Sequence, residues 1–271
     1  MIKKIERDDI IFSSTDFMKD ALVFNIAISI LQDKEKYKSP KCFSDGANCV
    51  IVCSDDRHPV IVWTKDSFSD FAGLFDFVRQ EFRANNPFNI LSKLPFYEFL
   101  KNRGYADEAQ VLGVYQYDKS KYREIEYLGH PDNIQEKEVG EVAEMLSGFD
   151  HETGENTYST SADRVPDANF YKTSPLAQVW RNAAGKIVAT TLIKEIEQYG
   201  RIEQVFTKPD ERGKQYAKML VHFMTKRIFD MGKKPMLFTD FNYAPSNKCY
   251  TGIGYDLVGT IVSYNVRNIR E

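Results

Sequence analysis

The sequence predicts a mixed α/β fold in which a twisted sheet carries helices on both faces. Three observations point there. From Tyr122 onward the pattern reads strand, helix, loop, three strands, helix, strand, helix, strand. The three consecutive β-rich runs within it precede one long helix, an order typical of mixed sheets. The chain has 271 residues, of which 42% are hydrophobic, enough to build a core in one large domain or two ordinary ones. The elements divide into an N-terminal domain, 1–121, and a second domain, 122–271.

In the first domain, Phe17, Ala21, Phe24, Ile28 and Leu31 recur at helical steps and predict a helix over Asp16–Gln32. Cys49–Val52 and Val60–Trp63 are short β-rich runs, and Asp55–Pro59 between them has turn chemistry. Ser67 is placed to cap a helix through Phe71, Leu74, Phe75 and Val78 to Phe82. A shorter helix, Phe96–Lys101, ends near Gly104, and Val111–Tyr117 reads as a strand.

The second domain opens with a strand over Tyr122–Leu128, a Gly-His-Pro-Asp turn and a helix over Glu138–Leu146. Asp150–Lys172 is polar and long for a connection, so it holds either short helices or a functional loop. Leu176–Trp180 and Ile187–Ile193 are joined by the turn Asn182–Gly185, and Ile202–Thr207 follows a turn at Gln198–Gly200. After Pro209 a helix runs to Met231 and ends on Gly232, a C-cap residue. Pro235–Phe241 is a strand, Ser246 is placed to cap a short helix to Gly252, and Tyr255–Asn265 is the terminal strand.

Composition excludes several functions. The net charge of −3, with acids and bases interspersed, gives no footprint for nucleic acid. No apolar run approaches the roughly 18 residues needed to span a bilayer. Met1–Asp9 has neither a secretory nor a transit pattern, so a cytoplasmic protein is expected. Cys42, Cys49, Cys53 and Cys249 form no C-x-x-C pair and have no clustered His, which favours free thiols over zinc; no metal is expected.

The segment Ile202–Ala217 carries the chemistry: a strand, a Pro-containing turn and a Gly-containing helix start. The first turn of a helix leaves about four N–H groups unpaired, and with the helix dipole they favour a phosphate or pyrophosphate. Arg212 and Lys214 add positive charge, and the small Gly213 and Ala217 let an anion approach the backbone. The alternative is an ordinary βα connection with a solvated basic turn. The segment is neither a Walker A loop nor a G-x-G-x-x-G fingerprint.

Val205–Ala217 resembles motif A of the GNAT superfamily of N-acetyltransferases, [QR]-x-x-G-x-[GA] after a V-x-T-x-P-like strand. Arg212 fits the first position and Ala217 the last; Gln215 stands where the family has glycine. A second block, Asp240-Phe241-Asn242 followed by Pro245–Tyr255, resembles the family pattern of Asn and Tyr on the last helix before Ile-Gly-[FY]. The resemblance covers residues 122–271. It implies a mostly antiparallel GNAT-like sheet and acetyl-CoA as co-substrate, with residues 1–121 a degenerate GNAT-like copy that resembles the family in layout. It also implies that Val205, Phe206 and Thr207 bind pantetheine by their backbone, that Arg212, Gly213, Lys214, Gln215, Tyr216 and Ala217 cradle the pyrophosphate, and that Asn242, Asn247 and Tyr250 complete the coenzyme site.

The implied reaction is direct attack of a primary amine on the thioester in a ternary complex. Tyr250 is the implied general acid; its alternative is an aromatic packed on the long helix. Glu203 is the candidate base, placed by simple alternation on one face with Val205 and Thr207; its alternative is a solvated carboxylate. Asp240 and His151 are weaker candidates, and His222 is expected to be structural or exposed. Asp150–Lys172, with Phe170 and Tyr171, reads equally as a lid or a surface loop. The expected partner is a small-molecule or peptide amine, with no nucleic acid or membrane, on a monomer or homodimer. The rival function is a non-catalytic CoA-binding or regulatory module.

Overall fold

The computed structural model describes residues 1–54, 59–82, 88–154 and 159–267. The chain forms two compact units, Met1–Val114 with Thr239–Tyr243 and Val258–Glu271, and Tyr115–Phe238 with Ala244–Leu257. The Asp55–His58 part of the turn expected between the first two β-runs lies outside the described residues, as does 155–158 of the polar stretch.

In the first unit the order is β1 (Lys3–Lys4), α1 (Thr15–Lys19), α2 (Asn25–Gln32), β2 (Lys41–Ser44), β3 (Cys49–Cys53), β4 (Val60–Thr64), α3 (Phe71–Phe82), β5 (Phe88–Ser92), α4 (Leu94–Lys101) and the start of β6 (Gln110–Tyr117). Strands β1 to β4 pair antiparallel in sequence, β4 pairs β5 in parallel, and the C-terminal part of β12 (Tyr255–Val266) lies antiparallel to β5. β3 and β4 are buried at every position, which is why both read as continuous apolar runs without alternation. On one face Leu74, Phe75, Val78 and Phe82 of α3 and Leu100 of α4 pack on Ile51, Val62 and Ile90.

Two expectations fail here. The helix over Asp16–Gln32 breaks at Asp20, whose carboxylate accepts from Trp63 Nε1 at 2.8 Å and pairs with Lys93 at 2.6 Å. These tertiary bonds override the helical period. Ser67 does not cap α3; Asp70 does, accepting from the Gly73 amide at 3.0 Å.

The second unit runs β7 (His130–Asp132), α5 (Val139–Thr153), α6 (Ser161–Phe170), β8 (Ala177–Arg181), β9 (Ile187–Ile196), β10 (Tyr199–Thr207), α7 (Tyr216–Asp230), β11 (Lys234–Asp240), α8 (Ala244–Thr251) and the start of β12. β7 to β10 pair antiparallel in order, and β11 adds in parallel to β10. Each unit thus has the same sequence of elements: strand, two helices, three antiparallel strands, helix, parallel strand, helix, strand. One face of the second sheet packs on α5 and α6 through Val142, Leu146, Ala168 and Tyr171. The other packs on α7 through Leu220, Val221, Met224 and Ile228.

The strand expected over Tyr122–Leu128 is an extended strap outside any ladder, and the supposed Gly-His-Pro-Asp turn supplies β7 instead. The strap is held by side chains: Trp180 Nε1 donates to Leu128 O at 3.0 Å, and Tyr127 donates to His222 Nδ1 at 2.8 Å. Its residues Tyr122, Ile125 and Tyr127 pack on the core cluster of α7, and the alternation of Ile125 and Tyr127 with polar neighbours mimicked a strand. Of the polar stretch, Asp150–Thr153 ends α5 and Ser161–Phe170 forms α6, begun by a reciprocal capping box between Thr160 and Asp163. Ser246 lies inside α8, which starts at Ala244, rather than capping it. The long helix starts at Tyr216, after a short 3-10 turn at Pro209–Glu211.

Candidate active site

The site begins with a fault in β10. Glu203 faces Leu192 and Phe206 faces Thr190, so β10 carries one more residue than β9 over this stretch, a β-bulge. Gln204 within it has φ of 53°, a left-handed conformation unusual for glutamine. The ladder with β11 runs from Tyr199–Lys234 to Ile202–Leu237 and stops there, while β10 continues to Thr207. A fork opens where the bulge turns β10 away from its parallel neighbour.

The bulge also reverses the side-chain phase and corrects the alternation argument. Ile202 and Val205 both pack with the α7 core, whereas Phe206 packs with the α5–α6 core. Glu203, opposite Leu192, lies on the α5–α6 face. Glu203 and Val205 are therefore on opposite faces, because the inserted residue inverts a period-two count. Phe206 is core: a β-carbon on Gly148 would come within 3.0 Å of its ring. Gln204 Oε1 and Thr207 Oγ1 are buried and have no hydrogen-bond partner among the described residues.

Beyond the fork the turn into α7 holds two left-handed residues, Gly213 at φ 79° and Gln215 at φ 65°. Gln215 is the N-cap residue and makes no side-chain capping bond; the first turn of α7 carries no acidic residue. The first amides of this helix are thus uncapped by side chains, and left-handed residues beside them turn successive N–H groups into a concave nest suited to an anion. The left-handed backbone is the physical reason the motif prefers glycine at this position. Tyr216 and Ala217 follow in the first turn, half-buried.

The basic side chains are engaged. Arg212 makes a two-oxygen pair with Glu152 at 2.6 and 2.7 Å, and its Nε donates to Thr207 O at 3.1 Å. Lys214 pairs with Glu211 at 2.8 Å, which holds its ammonium pKa above the usual value. Lys208 pairs with Glu141.

On α8, Asn247 Oδ1 accepts from the Tyr115 hydroxyl at 3.2 Å, and Tyr250 is 6% exposed within the aromatic core with Tyr255. Both belong to the second unit; Asn242 and Asp240 fall in the first. Asp240, the last residue of β11, accepts from Gln110 at 3.1 Å and from the Asn242 amide at 2.8 Å, so its carboxylate holds the turn that follows. His222 is buried and structural: Nε2 faces the Arg123 carbonyl at 2.9 Å and must be the protonated nitrogen, so Nδ1 accepts from Tyr127. Burial lowers its pKa from the ordinary 6.5. His151 donates from Nε2 to Ser159 O at 2.7 Å. Tyr171, grouped by sequence with the exposed Phe170 as lid, is fully buried.

Sequence reasoning missed Gln204, for which a bulge leaves no local signal, and Arg201. The latter was within reach, since Arg201 and Glu203 at a two-residue spacing share a strand face. Arg201 Nε donates to Glu203 Oε1 at 2.6 Å, and its guanidinium lies 5.6 Å from the Phe238 ring.

A sequence model of the Acetyltransferase (GNAT) family matches residues 143–255. Among curated proteins none matches. A GCN5-related N-acetyltransferase from Sphaerobacter thermophilus is similar in structure, with a TM-score of 0.66 at 13% identity over 98% of this chain and 94% of its own. A GNAT-family acetyltransferase from Colwellia psychrerythraea aligns with a TM-score of 0.58 at 14% identity, over 98% and 100%. A tandem GNAT protein from the clavulanic acid biosynthesis pathway aligns with a TM-score of 0.59 at 8% identity, over 100% and 99%. At these identities the likeness is one of fold, and it spans both units.

Proposed function

From the GNAT-family acetyltransferase domain at residues 143–255, we propose that the second unit transfers an acetyl group from acetyl-CoA to a primary amine. The observation that carries this reading is the joining of the bulged fork of β10 and β11 to an open helix start at Gly213–Ala217. An extended pantetheine fits the fork as an added strand on Val205–Thr207. Its pyrophosphate fits the nest, with Arg212 and Lys214 able to exchange Glu152 and Glu211 for phosphate oxygens. Asn247 and Tyr250 border the thioester end in this reading.

The chemistry then balances as follows. An acceptor ammonium loses one proton to Glu203 and becomes a nucleophile. Its nitrogen attacks the thioester carbon, and a backbone N–H near Val205 stabilises the oxyanion. With the C–N bond formed, the oxyanion collapses and the C–S bond breaks, the nitrogen sheds its second proton, and Tyr250 protonates the departing thiolate. One proton is released overall. The rival, a non-catalytic coenzyme-binding module, draws on the burial of Tyr250 and on Gln215 in the motif's glycine position.

Calorimetry with acetyl-CoA, followed by a thiol-release assay over an amine panel, tests the proposal. Binding with release of CoA thiol dependent on amine is the expected result. No binding at millimolar acetyl-CoA defeats it, and binding without turnover of any amine favours the rival.

A further inference from the structure

Two charged residues beside the proposed coenzyme site stand at the wrong ends of their helices. Glu152 lies in the last turn of α5, where the helix dipole disfavours an anion. Arg212 leads into the start of α7, where the dipole disfavours a cation. The two compensate each other: Arg212 Nη2 donates to both carboxylate oxygens of Glu152, at 2.6 and 2.7 Å. Two further contacts hold the guanidinium there. Its Nε donates to Thr207 O at 3.1 Å, and its central carbon lies 5.5 Å from the centre of the Phe206 ring, part of the α5–α6 core. Among the described residues its polar and ring contacts thus all go to α5 and β10.

Glu152 grips Arg212 with two oxygens, as a phosphate group would. We infer, resting on the acetyltransferase reading above, that Glu152 is an internal competitor of the coenzyme: its carboxylate holds Arg212 until a pyrophosphate displaces it, and the displacement releases the last turn of α5. The two helix ends fare differently in the exchange. The start of α7 gains an anion that its amides and dipole both favour. The end of α5 keeps a carboxylate that no longer has its cation, and that turn loses stability. The coupling is reciprocal, so removing the Glu152 carboxylate tightens coenzyme binding.

The same turn of α5 also reaches α6. Asp150, buried, accepts from Arg164 Nε at 2.7 Å. Residues two apart on a helix do not share a face, so Asp150 and Glu152 tie the end of α5 to two different elements, α6 and the loop before α7. Loss of the Glu152 tie leaves the turn held from the α6 side. Coenzyme occupancy is thereby transmitted to the helix pair that covers one face of the second sheet.

Calorimetry with acetyl-CoA on the full chain, as wild type, Glu152→Gln, Arg212→Gln and the double variant, tests this. Glu152→Gln should bind about two- to five-fold more tightly than wild type, the scale of an exposed ion pair. The gain should vanish in the Arg212→Gln background. Unchanged or weaker binding by Glu152→Gln overturns the inference and leaves the acetyltransferase reading standing. So does an equal gain without Arg212, which would reflect only general repulsion between a carboxylate and the coenzyme. No binding of acetyl-CoA by wild type or Glu152→Gln overturns both. Hydrogen exchange on the wild-type chain decides the question even where a variant folds poorly. The amides of Asp150–Thr153 should exchange faster with saturating acetyl-CoA than without it, and equal or slower exchange there overturns the inference.

Discussion

Replacing Gln215 by glycine should stabilise the protein, although it removes a side chain and adds no contact. At φ 65° and ψ 15° Gln215 occupies the left-handed well at the N-cap of α7. That conformation costs a non-glycine residue roughly 1–2 kcal/mol. Glycine gives back part of the gain because its unfolded chain is freer, by about 0.4–1 kcal/mol. Gln215 forms no side-chain capping bond and is exposed, so little else is lost. The net expectation is a gain of about 0.5–1 kcal/mol, or roughly 1–4 °C in Tm for a unit of this size. Gln215→Ala is the control: it keeps the β-carbon and the strain, and should leave Tm unchanged or lower. Thermal unfolding of the three proteins side by side, with acetyl-CoA calorimetry on each, provides the assay. If alanine and glycine shift Tm equally, side-chain removal and not backbone strain is responsible, and the account of why this position wants glycine is wrong.

Three further outcomes follow from the same geometry. Acetyl-CoA should bind with a stoichiometry of one per chain: in the first unit Asp70 caps the start of α3 and Asp66 lies nearby, paired with Lys93 and Lys19, so carboxylates meet an anion there; a calorimetric stoichiometry of two would contradict this. Tyr250→Phe should lower kcat by about 100-fold or more, the range of general acid catalysis, with acetyl-CoA affinity little changed; an unaltered kcat across the pH range removes Tyr250 from the mechanism. His222 is held neutral with its pKa below the ordinary 6.5. Because the unfolded chain then binds the proton more readily, this contribution to stability is complete above that value and is lost as pH falls below it toward the folded pKa. Wild-type Tm should therefore drop more steeply below pH 6.5 than that of His222→Gln, which keeps one donor and one acceptor; parallel profiles would show that the site does not titrate in this way.

What could be read from the sequence and what could not divides by the range of the interaction. The order of elements from β8 onward in the second unit and the strand–turn–helix at Ile202–Ala217 were legible because patterning and helix-end chemistry are local. The break of the first helix at Asp20 was not, since its cause lies on Trp63 and Lys93, far along the chain. The strap at Tyr122–Leu128 satisfied the strand pattern and lacked only a partner edge, which no local signal reports. The facing of Glu203 failed for a third reason. A single inserted residue inverts every side chain after it, so a correct strand with an unseen bulge gives the wrong face.

The two units together show why the same order of elements need not yield two sites. In the second, β10 bulges at Gln204, parts from β11 after Ile202–Leu237, and leaves buried polar atoms on Gln204 and Thr207 without partners among the described residues. In the first, the corresponding parallel pair stays in register from Val60–Ile90 to Val62–Ser92, the end of β5, and β4 has no bulge against β3. The next residue, Trp63, is buried: its indole donates to Asp20, and Lys93 lies 5.9 Å from its ring. Ser92 is bonded to the Tyr264 hydroxyl at 3.0 Å. Thus the second unit keeps an open fork between β10 and β11, whereas the first closes the corresponding place with its own side chains. An open fork in this architecture therefore depends on where the backbone parts from its neighbour, which in the second unit is set by the bulge at Gln204.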